Sequence, residues 1–293
     1  MKDLLAVSEF SRLQFLPNPF PEAVPVQLYL KRDDALHPAV SGNKWRKLKY
    51  NLAEARRLGH HTLLTYGGAY SNHIYAVAAA GREYGFSTIG VIRGEDHRER
   101  DTPTLAFARA QGMQLHFVTR QQFRNLADAV FQQDLRQRFG QYYELPEGGT
   151  NALAVRGTAE IIPEVLQQID SLPDYVCCPV GTGGTLAGLE RSAPGGLKVL
   201  GFSVLKGFIP DLNRPENVQT DYHFGGYAKT TPELLTFIRS FEQKTGVRIE
   251  QVYTGKMLYG IYDLARKNYF LPDSKIIAIH TGGLQGRSDK LDE

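Results

Sequence analysis

A lysine able to act as a nucleophile lies in the segment KRDDALHPAVSGNKWRKLKYNLAEA, residues 31–55. Lys44 follows the turn-forming sequence SGN and begins a predicted helix, because apolar residues recur at helical spacing after it. At a helix N-terminus, beside the cations Arg46 and Lys47, the pKa of its amine is expected to be lowered. A partly neutral lysine can attack an aldehyde. Position alone leaves open the alternative that Lys44 is an ordinary surface lysine.

The segment VGTGGTLAG, residues 180–188, has the composition of a phosphate-binding loop. Its glycines let successive backbone N–H groups point into one cavity, its threonines add hydroxyl donors, and the next predicted helix offers its positive N-terminal end. The spacing is neither G-x-G-x-x-G nor a Walker loop, and the following strand, 198–205, has no acidic residue to bind a ribose. A monophosphate therefore fits better than a dinucleotide, which disfavours a nicotinamide enzyme. A tight turn without a ligand is the alternative.

Strands and helices alternate over most of the chain, which is typical of a parallel sheet covered by helices on both faces. The predicted strands are 61–68, 87–94, 113–119, 198–205 and 274–283, and the predicted helices are 71–85, 102–112 and 157–170. Residues 142–151 are predicted as a strand running into a glycine loop, and 174–193 as strand, glycine turn and helix. Three of these strands run into glycine pairs followed by Ser, Thr or Asn, in YGGAYSNH, PEGGTN and GTGGT. Since ligands of parallel sheets bind at the carboxyl ends of strands, these three loops are candidate parts of one site.

The composition is that of a globular protein, with 42% hydrophobic and 22% charged residues among 293. No run approaches the roughly 20 apolar residues that cross a bilayer, and the first residues lack the pattern of a secretory leader. A net charge of +3 does not indicate nucleic acid or an anionic membrane as partner, so a small molecule is expected. Cys177 and Cys178 are predicted to be buried strand residues without a disulfide or a metal. The predicted location is the cytoplasm.

The motifs RDD, GNKxRKL, GGxxSNH, PEGGTN, GTGGT, YHFGGYAK, YTGK and HTGG follow one another along the chain. In this order they resemble the 1-aminocyclopropane-1-carboxylate deaminase and D-cysteine desulfhydrase family of fold-type II (tryptophan synthase β-like) pyridoxal-phosphate enzymes. The resemblance implies an α/β fold of two interleaved domains, each with a mainly parallel sheet flanked by helices. It implies a larger cofactor-binding domain of residues 1–47 and 157–293, a smaller domain of residues 48–156, and pyridoxal 5'-phosphate in the cleft between them. Family members are commonly homodimers, so a homodimer is expected.

The resemblance also implies a role for each matching residue. Lys44 would form the Schiff base with the cofactor and remove the substrate Cα proton. Asn72 would hydrogen-bond the phenolic oxygen of the cofactor, while Ser71 and His73 would flank the substrate carboxylate, with Ser71 as the candidate substrate-contacting serine. Tyr253 would lie near the ring and the substrate. The residues that would bind the phosphate are Gly181, Thr182, Gly183, Gly184 and Thr185.

Two threonines favour one reaction of the family. Members that open the cyclopropane ring typically carry Glu at the position of Thr254, near the pyridine nitrogen, and Leu at the position of Thr281. A neutral hydroxyl beside the pyridine nitrogen leaves the ring less electron-withdrawing than a carboxylate does, so the ring is a weaker electron sink. A weaker electron sink is sufficient to expel a thiolate from Cβ. We therefore expect β-elimination from a small amino acid, with D-cysteine as the first candidate.

Two alternatives are ring opening of the cyclopropane substrate to 2-oxobutyrate and ammonia, and cofactor binding without turnover. Trp45 and the polar C-terminal sequence LQGRSDKLDE depart from the family pattern and leave the identity of the substrate open.

Overall fold

The computed structural model describes residues 10–207 and 214–292. The expectation that the chain begins without a secretory leader concerns mainly residues 1–9, which lie outside the described residues. The described chain divides into a first unit, Lys44–Ala154, and a second unit, residues 10–43, 155–207 and 214–292.

The elements are numbered in chain order. The strands are β1 (Leu13–Leu16), β2 (Val26–Lys31), β3 (Thr62–Gly68), β4 (Ser87–Arg93), β5 (Gln114–Val118), β6 (Tyr143–Leu145), β7 (Tyr175–Val180), β8 (Lys198–Ser203), β9 (Val218–Gln219) and β10 (Ser274–Ile279). The α-helices are α1 (Asn43–Arg57), α2 (Asn72–Tyr84), α3 (Pro103–Ala110), α4 (Arg120–Arg124), α5 (Ala129–Phe139), α6 (Ala152–Thr158), α7 (Ile161–Leu166), α8 (Gly184–Ser192), α9 (Pro232–Thr245) and α10 (Thr254–Arg266).

The first unit is built on a four-stranded sheet in the order β5-β4-β3-β6, with every neighbouring pair parallel. Its strands are apolar on both faces, as a sheet covered by helices requires. Helix α2 packs against β3, β4 and α3. The glycine-ended strands β3 and β6 are neighbours, so the loops that carry YGGAYSNH and PEGGTN leave the same edge of this sheet.

The second unit is built on a six-stranded sheet in the order β1-β2-β10-β7-β8-β9, in which only the β1–β2 pair is antiparallel among the described strands. Alternate residues of its central strands enter different cores. Cys177 packs in one core with residues of α9 and α10, whereas Cys178 packs in the other with residues of α7 and α8. Successive strand side chains point to opposite faces, which explains why both cysteines are buried, as predicted.

The predicted α/β fold class is confirmed, since each unit contains a mainly parallel sheet accompanied by helices. One predicted helix, 157–170, is wrong: α6 ends at Thr158 and a separate helix, α7, begins at Ile161. Pro163 explains the break, because a proline has no N–H to donate and its ring clashes with the carbonyl four residues earlier, at Ala159. The Thr158 hydroxyl also donates to the Gly184 carbonyl oxygen at 3.1 Å, which holds the end of α6 against α8.

The polar C-terminal sequence folds back onto α9 of the second unit. The Arg287 guanidinium forms a two-pronged ion pair with Glu242, at 2.6 and 2.8 Å. Gln251 bonds both the Gly286 carbonyl and the Ser288 amide. These polar residues therefore have specific partners in the fold.

Candidate active site

Helix α1 begins one residue earlier than predicted, at Asn43, so Lys44 lies in its first turn. Burial lowers the pKa of the Lys44 amine to about 8, although part of the side chain remains accessible to solvent. The direction agrees with the prediction, but the cause is loss of hydration and not the neighbouring cations. A lysine with this pKa is partly neutral near pH 8, as a nucleophile or proton acceptor must be.

The residue before Lys44 is bonded to two predicted site segments of the second unit. The Asn43 side-chain amide donates to the Thr185 hydroxyl at 3.0 Å, and its backbone amide donates to the Thr281 carbonyl oxygen at 3.3 Å. Gly42 makes this approach possible, since a Cβ built there would lie 1.8 Å from the Thr281 oxygen. The chain that leads into Lys44 is thereby held between the GTGGT and HTGG motifs.

The predicted phosphate loop joins β7 to α8 as expected. Gly183 has a φ of 84°, a left-handed conformation that favours glycine, and α8 begins at the next residue. The first amides of a helix have no carbonyl acceptor within that helix, so they are available to an anion. Thr185 is buried in the first turn, whereas Thr182 is exposed. The donor set therefore suits a phosphate group.

Ser71 caps helix α2 of the first unit. Its Oγ accepts hydrogen bonds from the backbone amides of His73 and Ile74, at 3.2 and 3.3 Å. Gly67 leaves room for this cap, because a Cβ there would lie 2.7 Å from the Ser71 Oγ. The cap uses the oxygen as an acceptor, so the Ser71 hydroxyl proton can still be donated. Asn72 is the first residue of the helix and is partly exposed.

His73 is buried, and neither ring nitrogen has a hydrogen-bond partner among the described residues. Burial lowers its pKa well below the usual range, and the charges of Lys44 and Lys47 act in the same direction. Buried polar atoms are nearly always paired, so two unpaired nitrogens on one ring point to a bound group. The neutral imidazole offers one N–H donor and one acceptor.

The PEGGTN loop lies against this histidine. A Cβ built on Gly149 would lie 2.7 Å from the His73 Cε1. The Lys47 ammonium donates to the Gly148 carbonyl at 3.0 Å and to the Thr150 hydroxyl at 3.2 Å. Two of the three glycine loops predicted from sequence thus meet at His73 within the first unit.

Tyr253 and Thr254 of the second unit begin helix α10. A Cβ built on Gly181 would lie 3.4 Å from the Tyr253 ring, so this tyrosine flanks the start of the phosphate loop. Thr254 is fully buried, and its hydroxyl has no hydrogen-bond partner among the described residues. Thr281 is buried as well and follows β10. Like the unpaired nitrogens of His73, an unpaired buried hydroxyl fits a site for a bound polar group.

The sequence analysis missed Glu250 and Lys256. The Glu250 carboxylate accepts hydrogen bonds from the backbone amides of Val252, Tyr253 and Thr254, while the Lys256 ammonium donates to the carbonyls of His223 and Gly226, at 2.8 Å each. Both side chains are buried. An acidic residue shortly before a helix start was the available signal, but such residues are common and their side chains usually remain in water.

Comparison with known proteins identifies the class. Residues 11–196 match the family described as pyridoxal-phosphate dependent enzymes. The chain belongs to this family, and pyridoxal phosphate is its cofactor.

Individual relatives narrow the family. The chain is 31% identical, over 95% of its own length and 92% of the relative's, to a Pyrococcus horikoshii protein provisionally named as a 1-aminocyclopropane-1-carboxylate deaminase. It is 31% identical, over 91% of the chain and 75% of the relative, to the bifunctional mitochondrial D-cysteine desulfhydrase/1-aminocyclopropane-1-carboxylate deaminase of Arabidopsis thaliana. A crystal structure of an ACC deaminase homologue superposes with a TM-score of 0.83 at 28% identity, covering 98% of this chain and 97% of that one. The protein is thus an enzyme of the ACC deaminase and D-cysteine desulfhydrase family, as the motifs predicted.

In the described part of the chain, no group of three or more His, Cys, Asp and Glu side chains could hold a metal ion. Across residues 10–207 and 214–292, none of the helices has the length and apolar character to cross a membrane.

Proposed function

We propose that this enzyme catalyses β-elimination from a small amino acid, with D-cysteine as the preferred substrate. In the overall reaction, D-cysteine and one water molecule give pyruvate, hydrogen sulfide and ammonia. The Cα–H and Cβ–S bonds break, sulfur leaves as thiolate, and water later replaces the amino group. The observation that carries this proposal is the buried, unpaired hydroxyl of Thr254, which stands where ring-opening members of the family carry a carboxylate.

Lys44 is proposed as the residue that holds the cofactor covalently and then accepts the Cα proton. Its lowered pKa supports both roles, because a neutral amine is needed each time. Bound pyridoxal phosphate supplies the electron sink for the pair left at Cα. The loop Gly181–Thr185 would bind its phosphate, and Asn72 would donate to its phenolic oxygen. This assignment draws residues from both units.

Ser71 and His73 are proposed to bind the substrate carboxylate. The Ser71 hydroxyl proton is not consumed by the cap, and the His73 ring has an N–H without a protein acceptor among the described residues. A neutral imidazole binds the carboxylate as a hydrogen-bond donor without adding a proton to the site. Tyr253 would cover the ring and the substrate from the side of the phosphate loop.

Thr254 and Thr281 are proposed to face the pyridine nitrogen and the substrate. A hydroxyl stabilises a protonated nitrogen less than a carboxylate does, so the ring remains a moderate sink. A thiolate is a good leaving group, and this sink suffices for it. Opening an unactivated carbon ring demands more stabilisation of the charge at Cα, so β-elimination is favoured.

Ring opening of 1-aminocyclopropane-1-carboxylate to 2-oxobutyrate and ammonia is the second candidate. It is supported by the names of the Pyrococcus and Arabidopsis relatives. A panel of D- and L-amino acids plus the cyclopropane substrate, assayed for keto acid, ammonia and sulfide, tests both candidates. Absence of any product from a protein that binds the cofactor would instead support binding without turnover.

A cytoplasmic homodimer completes the proposal. The dimer is the usual oligomeric state of the family, and light scattering after size-exclusion chromatography measures the mass of the assembly. A mass of one chain would contradict the dimer.

A further inference from the structure

The start of helix α10 is held by a buried charge. The Glu250 carboxylate, 1% exposed, accepts the backbone amides of Val252 at 2.6 Å, Tyr253 at 2.9 Å and Thr254 at 2.6 Å. Three charge-assisted hydrogen bonds to one carboxylate fix the backbone of the segment VYT more firmly than neutral side-chain caps do.

Burial and hydrogen bonding act in opposite directions on the charge of Glu250. Burial raises the pKa of Glu250 to about 7, while the three amides and then Lys256 act in the opposite direction. Burial lowers the pKa of Lys256 to about 8, and Glu250 opposes that shift. An apolar residue at position 250 would avoid the cost of burying a carboxylate. The cost indicates that the position of the VYT backbone matters.

Lys256 holds a second segment against the same helix. Its ammonium donates to the carbonyls of His223 and Gly226, in the loop that continues into Tyr227. The Tyr227 ring meets the Tyr253 ring edge-on, with centroids 6.0 Å apart. Glu250 therefore supports Tyr253 through the Tyr253 backbone, and Lys256 supports it through the neighbouring Tyr227 ring.

The bond to Glu250 also fixes the direction of the Thr254 side chain. Its backbone amide is used by Glu250 and its side chain is fully buried, yet its hydroxyl is unpaired within the described part of the structure. Rotation of the first turn of α10 would turn this hydroxyl elsewhere. The hydrogen bond from the Thr254 amide to the Glu250 carboxylate, at 2.6 Å, opposes that rotation.

We propose that Glu250 is a positioning residue of the cofactor site, acting through the backbone of Tyr253 and Thr254 to aim the tyrosine ring and the threonine hydroxyl at pyridoxal phosphate. The inference rests on the proposed function, which assigns Tyr253 and Thr254 to the cofactor site. Glu250 itself touches neither substrate nor cofactor in this account.

The test compares Glu250→Gln with a matched control, Glu242→Gln, in the holoenzyme. Glutamine at 250 replaces one carboxylate oxygen by an NH₂ group, which then opposes an amide donor of the VYT segment. Glu242 also accepts a backbone amide, that of Ile249 at 2.7 Å, and pairs with Arg287, but contacts neither Tyr253 nor Thr254 in the hydrogen bonds described. Its variant reports the effect of damaging the same region without turning α10.

The readouts are the absorption spectrum of the bound cofactor, its Kd and the Tm. We expect Glu250→Gln to shift the absorption maximum of the bound cofactor and to raise the Kd for the cofactor by at least about tenfold. Glu242→Gln is expected to lower the Tm and keep the wild-type spectrum and Kd. Glu250→Asp keeps the charge but withdraws it by one methylene group, so it should recover part of the affinity.

A double-variant cycle tests the route through Thr254. If Glu250 acts by aiming that hydroxyl, the spectral shift caused by Glu250→Gln should largely vanish in a Thr254→Val background. Additive effects would overturn the route through Thr254, and a folded Glu250→Gln protein with the wild-type spectrum and Kd would overturn the whole inference. Should the Gln variant not fold, the Asp variant decides: wild-type cofactor binding overturns the proposal, and weaker binding with a folded chain supports it. These readouts need no turnover, so failure on D-cysteine would contradict the proposed function alone.

Discussion

The side-chain amide of Asn43 donates to the hydroxyl of Thr185 at 3.0 Å. This single bond joins the residue before Lys44 to the first turn of α8, directly after the glycine loop. The bond lies within the second unit, and it holds the end of the SGN turn against the start of α8.

Replacing Lys44 by Ala is expected to abolish both the absorbance of lysine-bound cofactor and the activity, while the chain stays folded. The variant lacks the amine that is proposed to bind the aldehyde, so covalent attachment after borohydride treatment should be lost. Lys49→Ala, on the same helix, is the control and should retain cofactor and activity. A Lys44→Ala protein that still carries borohydride-fixed cofactor after dialysis would show that another lysine holds it.

The lowered pKa of Lys44 predicts a pH dependence of stability in the cofactor-free protein. Between pH 8 and 10.5 the unfolded chain binds more protons at this lysine than the folded chain does, so its contribution to the free energy of unfolding rises with pH. Below about pH 8 the cost of burying the amine is constant. Allowing for partial solvent access, the rise should be about 2 kcal/mol. Urea unfolding of wild type and Lys44→Ala at each pH isolates it; a constant difference between the two proteins would contradict the assignment.

Gly183→Asp should weaken cofactor binding strongly, because it brings a carboxylate to a loop proposed to bind a dianion. Gly183 has a φ of 84°, so any side chain there is also strained, at roughly 1–2 kcal/mol. Gly183→Ala carries the strain without the charge and is the proper control. The Kd should rise far more for Asp than for Ala. Equal Kd values for the two variants would contradict the assignment of phosphate binding to this loop.

The double change Thr254→Glu with Thr281→Leu should shift the enzyme toward ring opening. A carboxylate favours a protonated ring nitrogen, and leucine offers an apolar wall to the ring methylenes. Because Thr254 is fully buried, the larger side chain costs about 1–3 kcal/mol of stability. Thr254→Gln with Thr281→Leu matches that volume without the charge. The ratio of 2-oxobutyrate to pyruvate formation should rise in the Glu variant only.

Much of the fold could be predicted because local signals agree with tertiary structure. Ser71 and Gly85 bound α2 as N- and C-cap, and strands such as Tyr175–Val180 are apolar on both faces because helices cover both. The helix predicted across 157–170 is wrong because Pro163 breaks it in spite of the apolar spacing.

The site was less accessible to sequence reasoning because its defining features depend on distant residues. The unpaired nitrogens of His73 are enclosed in part by Gly149, far along the chain. The pKa of Lys44 is governed by burial, which no local window reveals. Glu250 looks like any acidic residue before a helix until three amides are found on its carboxylate. Motif order predicts the site residues, and packing determines their protonation and hydrogen-bond partners.

The central claim is tested most directly by the initial rates of the wild-type holoenzyme on D-cysteine and on 1-aminocyclopropane-1-carboxylate, measured side by side. The account predicts release of pyruvate and sulfide in equal amounts from D-cysteine, with little 2-oxobutyrate from the cyclopropane substrate. Efficient formation of 2-oxobutyrate, with no sulfide from D-cysteine, would contradict it.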